Sequence, residues 1–263
     1  VMGYAKSGDD LLYVTNRYNI GYVVSDYYAN GSFWCSYPNK SFKQRPGRAV
    51  KAENGKIYVS VVFSDGDNVQ FDQNALYAIW TEDTDRGAFP VGTTLCAGMQ
   101  ELNPFLLEWY YNHMSPNDEL MAGPSGYQFI YGRDYSEEGY EKWLGLNRRW
   151  LASAGFKTAC FWHTSYGTDR FYRYVETAGL EGVFNGDDDV ILDYHNGVII
   201  MNQGDHLVAE GDLYNNLAHR QGQLDPSRPH FLNVYPTAAT YGYHGVARLK
   251  REAERLEKDF PGR

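Results

Sequence analysis

The chain has 263 residues, 43% of them apolar and 16% aromatic, and its 24 Lys plus Arg against 33 Asp plus Glu give a net charge of −9. A charge of that sign argues against nucleic acid or an anionic membrane as partner, and no apolar run approaches the ~20 residues that a membrane-spanning helix needs. The length suits one domain over residues 1–263, since α/β barrels of about 250 residues fold around a single core.

Three cysteines, Cys35, Cys96 and Cys160, have neither the number of a disulfide framework nor the spacing of a metal site. Cys96 and Cys160 fall in strand-like runs and read as buried thiols. No signal segment is read at the N-terminus. The 23 tyrosines exceed what a core needs, and Tyr and Trp suit surfaces that stay wet on one side. That excess fits a neutral, polar, ring-shaped ligand such as a sugar.

Short β-branched or aromatic runs alternate with helical patterns along the chain, as successive βα units of a parallel sheet do. Eight strands are predicted: Ile20–Asp26, Ile57–Ser64, Gly92–Ala97, Glu119–Ala122, Thr158–His163, Gly182–Asn185, Val198–Asn202 and Phe231–Tyr235. The fold expected is a (β/α)8-like, TIM-type barrel, irregular in that its first helix is missing. Residues 27–56 show no helical period but hold Phe33, Trp34, Tyr37 and Phe42, and long ordered loops of this kind are often lids or binding walls.

The helices carry local signals. Asn103 can cap a helix with Pro104 in its first position. Asp134 with Glu137 reads as a capping box, followed by the stripe Tyr140, Trp143, Leu144, Trp150, Leu151 and Ala154 and the stop at Gly155. Phe171, Tyr172 and Val175 mark another helix, and Val246, Leu249, Ala253, Leu256 and Phe260 a closing amphipathic one.

In a parallel barrel the residues just after each strand meet on one rim, where barrel active sites are built. That rule nominates Asp26 and Tyr27, Asp65 and Asp67, Gln100 and Glu101, Ser125 and Tyr127, His163, Asn185 and Asp187, Gln203 and Asp205, and Tyr235. The strongest local feature is Tyr58–Asn68, an apolar run ending in Ser64-Asp65-Gly66-Asp67-Asn68. Gly66 permits a sharp bend that brings two carboxylates to the mouth. Two acids in different surroundings can divide labour, one protonated and one ionised, as glycoside cleavage requires. Their closeness in sequence also fits one catalytic and one orienting or capping residue.

The stretches Lys56–Asn68, Trp80–Gly92 and Ala122–Gly132 resemble the C-terminal domain of the GxGYxYP family of putative glycoside hydrolases. The resemblance is clear over residues 56–133 and looser from Tyr18 onward. In the segment Gly126–Gly132 the first Gly and last Tyr of the family's name are kept, Phe129 replaces the first Tyr, and the second Gly and the Pro are absent, so the chain reads as a divergent member. The resemblance implies a barrel-like domain in a bacterial, carbohydrate-related protein, usually preceded by another domain, with a secreted or periplasmic location.

The expectation is therefore a hydrolase that cleaves glycosidic bonds of a poly- or oligosaccharide. Asp65, Asp67 and Glu101 are its candidate acids, and Asp26, Tyr27, Trp34, Tyr127, Trp162, His163, Asp187, Gln203 and Tyr235 its substrate contacts. No cofactor and no metal are expected, and no nucleic acid or membrane partner. Two alternatives stay open. One is a non-catalytic carbohydrate-binding barrel; the other is a metal-assisted polysaccharide hydrolase or lyase, since Asp65, Asp67 and Asp187–Asp189 offer hard oxygen ligands. Motifs for catalytic zinc, phosphate loops, dinucleotides and the Gly-x-Ser-x-Gly elbow are absent.

Overall fold

The computed structural model describes residues 8–262 except 26–27, 46, 48–49, 163, 178, 187–191, 203 and 237–244. The strands are β1 (Ile57–Phe63), β2 (Val91–Leu95), β3 (Asp118–Ala122), β4 (Thr158–Phe161), β5 (Gly182–Asn185), β6 (Leu192–His195), β7 (Val198–Asn202), β8 (Asp205–Leu207) and β9 (His230–Pro236). They form one curled sheet in the order β6-β7-β5-β4-β3-β2-β1-β9-β8. All described pairings are parallel except that of β6 with β7.

The two sheet ends are joined by the chain itself. β7 pairs with β5, and after Gln203 and Gly204 the chain enters β8, which pairs with β9. β7, next to the β6 edge, and β8, at the other edge, are thus neighbours in the chain with a kink at Gly204 before β8, and the sheet is that of an irregular TIM-like barrel. The kink depends on Gly204, whose φ is +83° and whose missing Cβ would lie 1.8 Å from the Asn233 carbonyl oxygen.

Burial follows the two-residue alternation of strands. Val61 and Phe63 of β1, Leu120 and Ala122 of β3, and Ala159 and Phe161 of β4 face outward into the helix layer. Val62, Met121 and Cys160, the residues between them, pack together inside the barrel with Trp162 and Phe184. The helices that cover the wall are α4 (Ala75–Glu82), α6 (Pro104–Asn112), α7 (Glu137–Ala154) and α8 (Asp169–Thr177) on one side. On the other side lie α9 (Asp212–Gln221) and α10 (Gly245–Asp259). Four shorter or peripheral helices are α1 (Gly8–Arg17), α2 (Gly31–Trp34), α3 (Val69–Gln73) and α5 (Met99–Leu102).

Seven of the eight expected strands are present. The exception is Ile20–Asp26: its described residues make only two isolated bridges, Tyr22 with Phe129 and Val24 with Asn68. The edge of β1 that an extra strand would need is occupied by β9 through five register pairs, from Ile57 with His230 to Val61 with Val234. The N-terminal segment instead lies along the loops after β3 and β1. β6 and β8, of four and three residues, are too short to stand out as periodic runs.

The helix signals hold with two corrections. Asn103 accepts from the Leu106 N–H at 3.1 Å and Pro104 opens α6; Gly155 ends α7 in the left-handed conformation. The cap of α7 is Ser136, accepting from Gly139 N–H at 3.1 Å, and Asp134 belongs to the 3-10 turn Gly132–Asp134 before it. In α10 the buried position is Glu252, with Ala253 exposed. Its carboxylate accepts from the Gly211 and Tyr214 N–H groups, both at 3.0 Å, at the start of α9. An acid there satisfies donors that the helix start leaves open.

Gly204→Ala combines a strained left-handed backbone with a steric clash at the strand that closes the wall. It is expected to lower unfolding stability by about 2–4 kcal/mol, measured as a shift in urea midpoint at constant m-value.

Candidate functional site at the barrel mouth

The C-terminal end of β1 is shaped by a turn wedged against its neighbours. The Gly66 N–H donates to Thr94 Oγ1 at 3.1 Å, and that hydroxyl donates to the Phe63 carbonyl at 3.0 Å. A Cβ on Gly66 would meet the Thr94 carbonyl oxygen at 2.0 Å, so no other residue fits. Asp65 takes a left-handed φ of +69°, which Asp tolerates better than most residues. The Asn68 N–H donates to the Asp65 carbonyl at 3.0 Å, and Asn68 then caps α3 by accepting from Phe71 N–H at 3.1 Å. The fold therefore fixes where the two carboxylates of Asp65 and Asp67 emerge.

Inward-facing residues from other strands complete the mouth. Alternation places Ser64, Trp162, His206 and Tyr235 on the inner side, since Phe63, Phe161, Leu207 and Val234 face outward. The Tyr235 ring meets Trp162 edge-on at 6.0 Å and lies 5.1 Å from the His206 ring, and Trp162 meets Phe129 edge-on at 6.4 Å. Trp162 Nε1 is buried and has no hydrogen-bond partner among the described residues.

The electrostatics separate the acids. Burial, reinforced by the neighbouring Asp65, pushes the Asp67 carboxyl up to about 7. Asp65 is open to solvent at the rim yet ringed by protein; burial raises it too, with His206 pulling the other way. The same field raises Tyr235, chiefly by burial and then by Asp65, and raises Cys160 to about 12, chiefly by burial and then by Asp67. Below the pair lies a third acid, Asp72 of α3, fully buried, with neither carboxylate oxygen hydrogen-bonded among the described residues. Burial, then Asp67 and Asp65, hold it well above the usual carboxylate range, which favours its protonated form.

The expected site residues fall into three groups. Asp65, Asp67, Trp162 and Tyr235 converge at the mouth. Glu101 and Tyr127 form a second group, in which the Tyr127 hydroxyl donates to Glu101 at 2.5 Å. The Tyr127 ring stacks on Trp150 at 6.2 Å, and its N–H donates to Asn147 Oδ1 at 2.8 Å, so this pair lies against α7 on the shoulder. Trp34 is further out, stacked on Phe105 at 5.7 Å. Asp26, Tyr27, His163, Asp187 and Gln203 lie outside the described residues.

Of the other rim candidates, Gln100 is buried and donates to the Lys40 carbonyl at 2.7 Å. Ser125 donates to the Ile130 carbonyl at 3.2 Å, and Asp205 accepts from Arg220 at 2.9 and 3.0 Å. These are structural roles. His206 escaped sequence reading because β8 has only three residues. Asp72 had a signal: with Val69, Leu76 and Ile79 it falls on the buried i, i+3, i+7 stripe, where an acid is out of place. Among the described residues no three His, Cys, Asp or Glu side chains converge as a metal site does, and no helix is long and apolar enough to cross a membrane.

Comparison with known proteins agrees with this architecture. A putative hydrolase from Bacteroides thetaiotaomicron superimposes with a TM-score of 0.82 at 18% identity, over 95% of this chain and 52% of that one. The chain thus spans about half the length of that protein. A putative polysaccharide deacetylase from Mycobacterium smegmatis (10% identity, 82% of this chain and 88% of that one) gives a TM-score of 0.48. PuuE allantoinase (13% identity, 89% and 92%) gives 0.49. No curated protein sequence matches. The description GxGYxYP putative glycoside hydrolase C-terminal domain matches residues 55–253. The chain belongs to that family.

Proposed function

We propose that the barrel mouth hydrolyses glycosidic bonds, with Asp67 as general acid and Asp65 as its ionised partner. The observation that carries this reading is the unequal pair on one rigid turn. Asp67, held near 7, keeps its proton at mildly acidic pH and can deliver it to the departing glycosidic oxygen. Asp65, in contact with solvent and facing His206, retains charge to stabilise the positive sugar ring or to accept a proton from the attacking water. Pairs of acids pushed apart by their surroundings are how one site runs acid and base chemistry together.

The surroundings suit a sugar. The half-buried Trp162 ring, backed by the buried Tyr235, offers an apolar face. The family assignment supports the same chemistry. Tyr127 and Glu101, on the shoulder, are placed to touch a longer chain as it leaves the mouth rather than to act on the bond that breaks.

The test is release of reducing ends from a panel of neutral polysaccharides by the wild type, Asp65→Asn and Asp67→Asn. Asp67→Asn is expected to lower kcat by about 10²–10⁴-fold, with the smallest loss on aryl glycosides whose leaving groups need no proton. Wild-type kcat should fall as pH rises through about 7. Full activity in both single variants on a substrate the wild type cleaves would falsify the assignment.

The same titration appears in stability. A carboxyl raised from its usual 3.8 to about 7 binds more proton in the folded than in the unfolded state, so its stabilising effect is complete below about 4 and is lost as pH rises through 7. The thermal midpoint at pH 5 should therefore exceed that at pH 8, and Asp67→Asn should narrow the gap by raising the value at pH 8. An unchanged gap in the variant would show that Asp67 is not the titrating group.

A further inference from the structure

The strap between the N-terminal segment and β1 crosses the outside of the barrel and is pinned at successive points. The Tyr28 hydroxyl donates to the Leu102 carbonyl, and Gln100 Nε2 donates to the Lys40 carbonyl at 2.7 Å. The Phe42 N–H donates to the Ser153 carbonyl at 2.9 Å, and Gln44 exchanges hydrogen bonds with the backbone of Leu120, at 2.6 and 2.7 Å. Between Tyr28 and Lys40 the strap arches outward and leaves a groove of about 420 Å³ against α6. That volume lies within the range of small-ligand clefts, about 300–1,000 Å³.

The groove has aromatic walls and a polar edge. Tyr37, Phe105 and Trp109 line it, and Trp34 stacks behind Phe105. Packed against one another at 5.2 Å, Tyr37 and Phe105 remain 37% and 41% exposed, and Phe33 beside them 54%. The polar edge is the Lys40–Glu108 ion pair, at 2.5 Å, with the amide of Asn112. The two charges cancel, so the groove presents donors and acceptors without net charge. That combination selects a neutral ligand with flat apolar faces and a hydroxylated rim. It disfavours nucleic acids and acidic peptides, which would need uncompensated cations.

We infer that this groove is a second carbohydrate subsite, taking a segment of a neutral glycan outside the mouth. Its position supports that occupant. Phe105 follows Glu101 by one helical turn's worth of chain, and Glu101 with Tyr127 forms the shoulder between mouth and groove. A glycan leaving the mouth across that shoulder meets Phe105 and Tyr37 next. The walls are fixed by the strap's pins, so little ordering cost attends binding. The inference rests on the glycan reading of the mouth for its choice of ligand, but its readout is binding alone.

The test uses the full chain carrying Asp67→Asn, in native gels cast with starch, mixed-linkage β-glucan, xylan or galactomannan. This chain should be retarded by at least one of them. Adding Tyr37→Ala and Phe105→Ala should weaken that affinity about tenfold or more, as loss of two stacking faces does, with an unchanged circular dichroism spectrum. Phe105→Tyr, which keeps the ring, should bind as the parent does, and Asn112→Trp, which removes no ring but fills the groove, should bind as weakly as the double Ala variant. Equal retardation of parent and double Ala variant overturns the subsite while leaving the mouth reading intact. Retardation by none of the four polysaccharides overturns it as well. Failure of the catalytic reading would appear separately, as unchanged cleavage in the two Asp→Asn single variants.

Discussion

The structure depends on the close contact of the Asp65-Gly66-Asp67 turn with the end of β2. Gly66 touches the Thr94 backbone, and Thr94 Oγ1 ties both the turn and the last carbonyl of β1 to one hydroxyl. A backbone held this way fixes the points at which both acidic side chains leave the turn. Two carboxylates therefore emerge at the mouth in a fixed relation, and α3, capped by the next residue, carries a third acid beneath them. Three acids in mutual influence cannot all be ionised in a partly dry pocket. The fold resolves this by burial depth: Asp72 deepest and raised furthest, Asp67 intermediate, Asp65 exposed to solvent.

Depth is in turn set by the barrel. The interior is filled by Val62, Met121 and Cys160, which seal the mouth from below, so the field of the acids reaches Cys160 and Tyr235 with little screening by solvent. The lower interior is polar but paired, Ser60 donating to Asn233 at 2.7 Å across β1 and β9. The acids of the mouth and the paired polar groups of the lower interior thus occupy different levels of one barrel. The aromatic clusters between the helix layer and the sheet serve packing, as in the close stack of Phe161 on Tyr174 at 3.7 Å.

How much of this the amino-acid sequence discloses depends on the length scale of each feature. β1 and β7 are legible because four or more apolar residues end in a turn residue, and α7 because its stripe from Tyr140 to Ala154 runs for about four turns. The non-strand at Ile20 is illegible, since its residues have strand composition and only competition from β9 for the edge of β1 excludes them. The same holds for the site. The Asp65–Asp67 turn is written as a local motif, whereas His206 reaches the mouth through a kink at Gly204 that no local pattern announces. Glu101 follows a strand as a rim acid should, yet a tyrosine from the next loop claims it. Position after a strand is thus a weaker guide than the partner that the side chain finds.

The segment that gives the family its name illustrates the same point. In this chain Gly126–Gly132 joins parts of the wall rather than presenting acids. The Gly126 carbonyl accepts from Ala97 N–H at 2.9 Å, Tyr127 is tied to Asn147 and Glu101, and Tyr131 N–H donates to Asn16 Oδ1 at 2.8 Å. Phe129 pairs with Tyr22 in both directions, at 3.0 and 2.8 Å, and turns its ring edge toward Trp162. The two residues kept from the family pattern, Gly126 and Tyr131, serve these backbone ties, and of the three that differ, Gln128, Phe129 and Gly132, the phenylalanine turns its ring edge toward Trp162 at the mouth. The segment therefore does two things: its backbone holds the N-terminal segment, β2 and α7 together, and its side chain at 129 packs edge-on against Trp162.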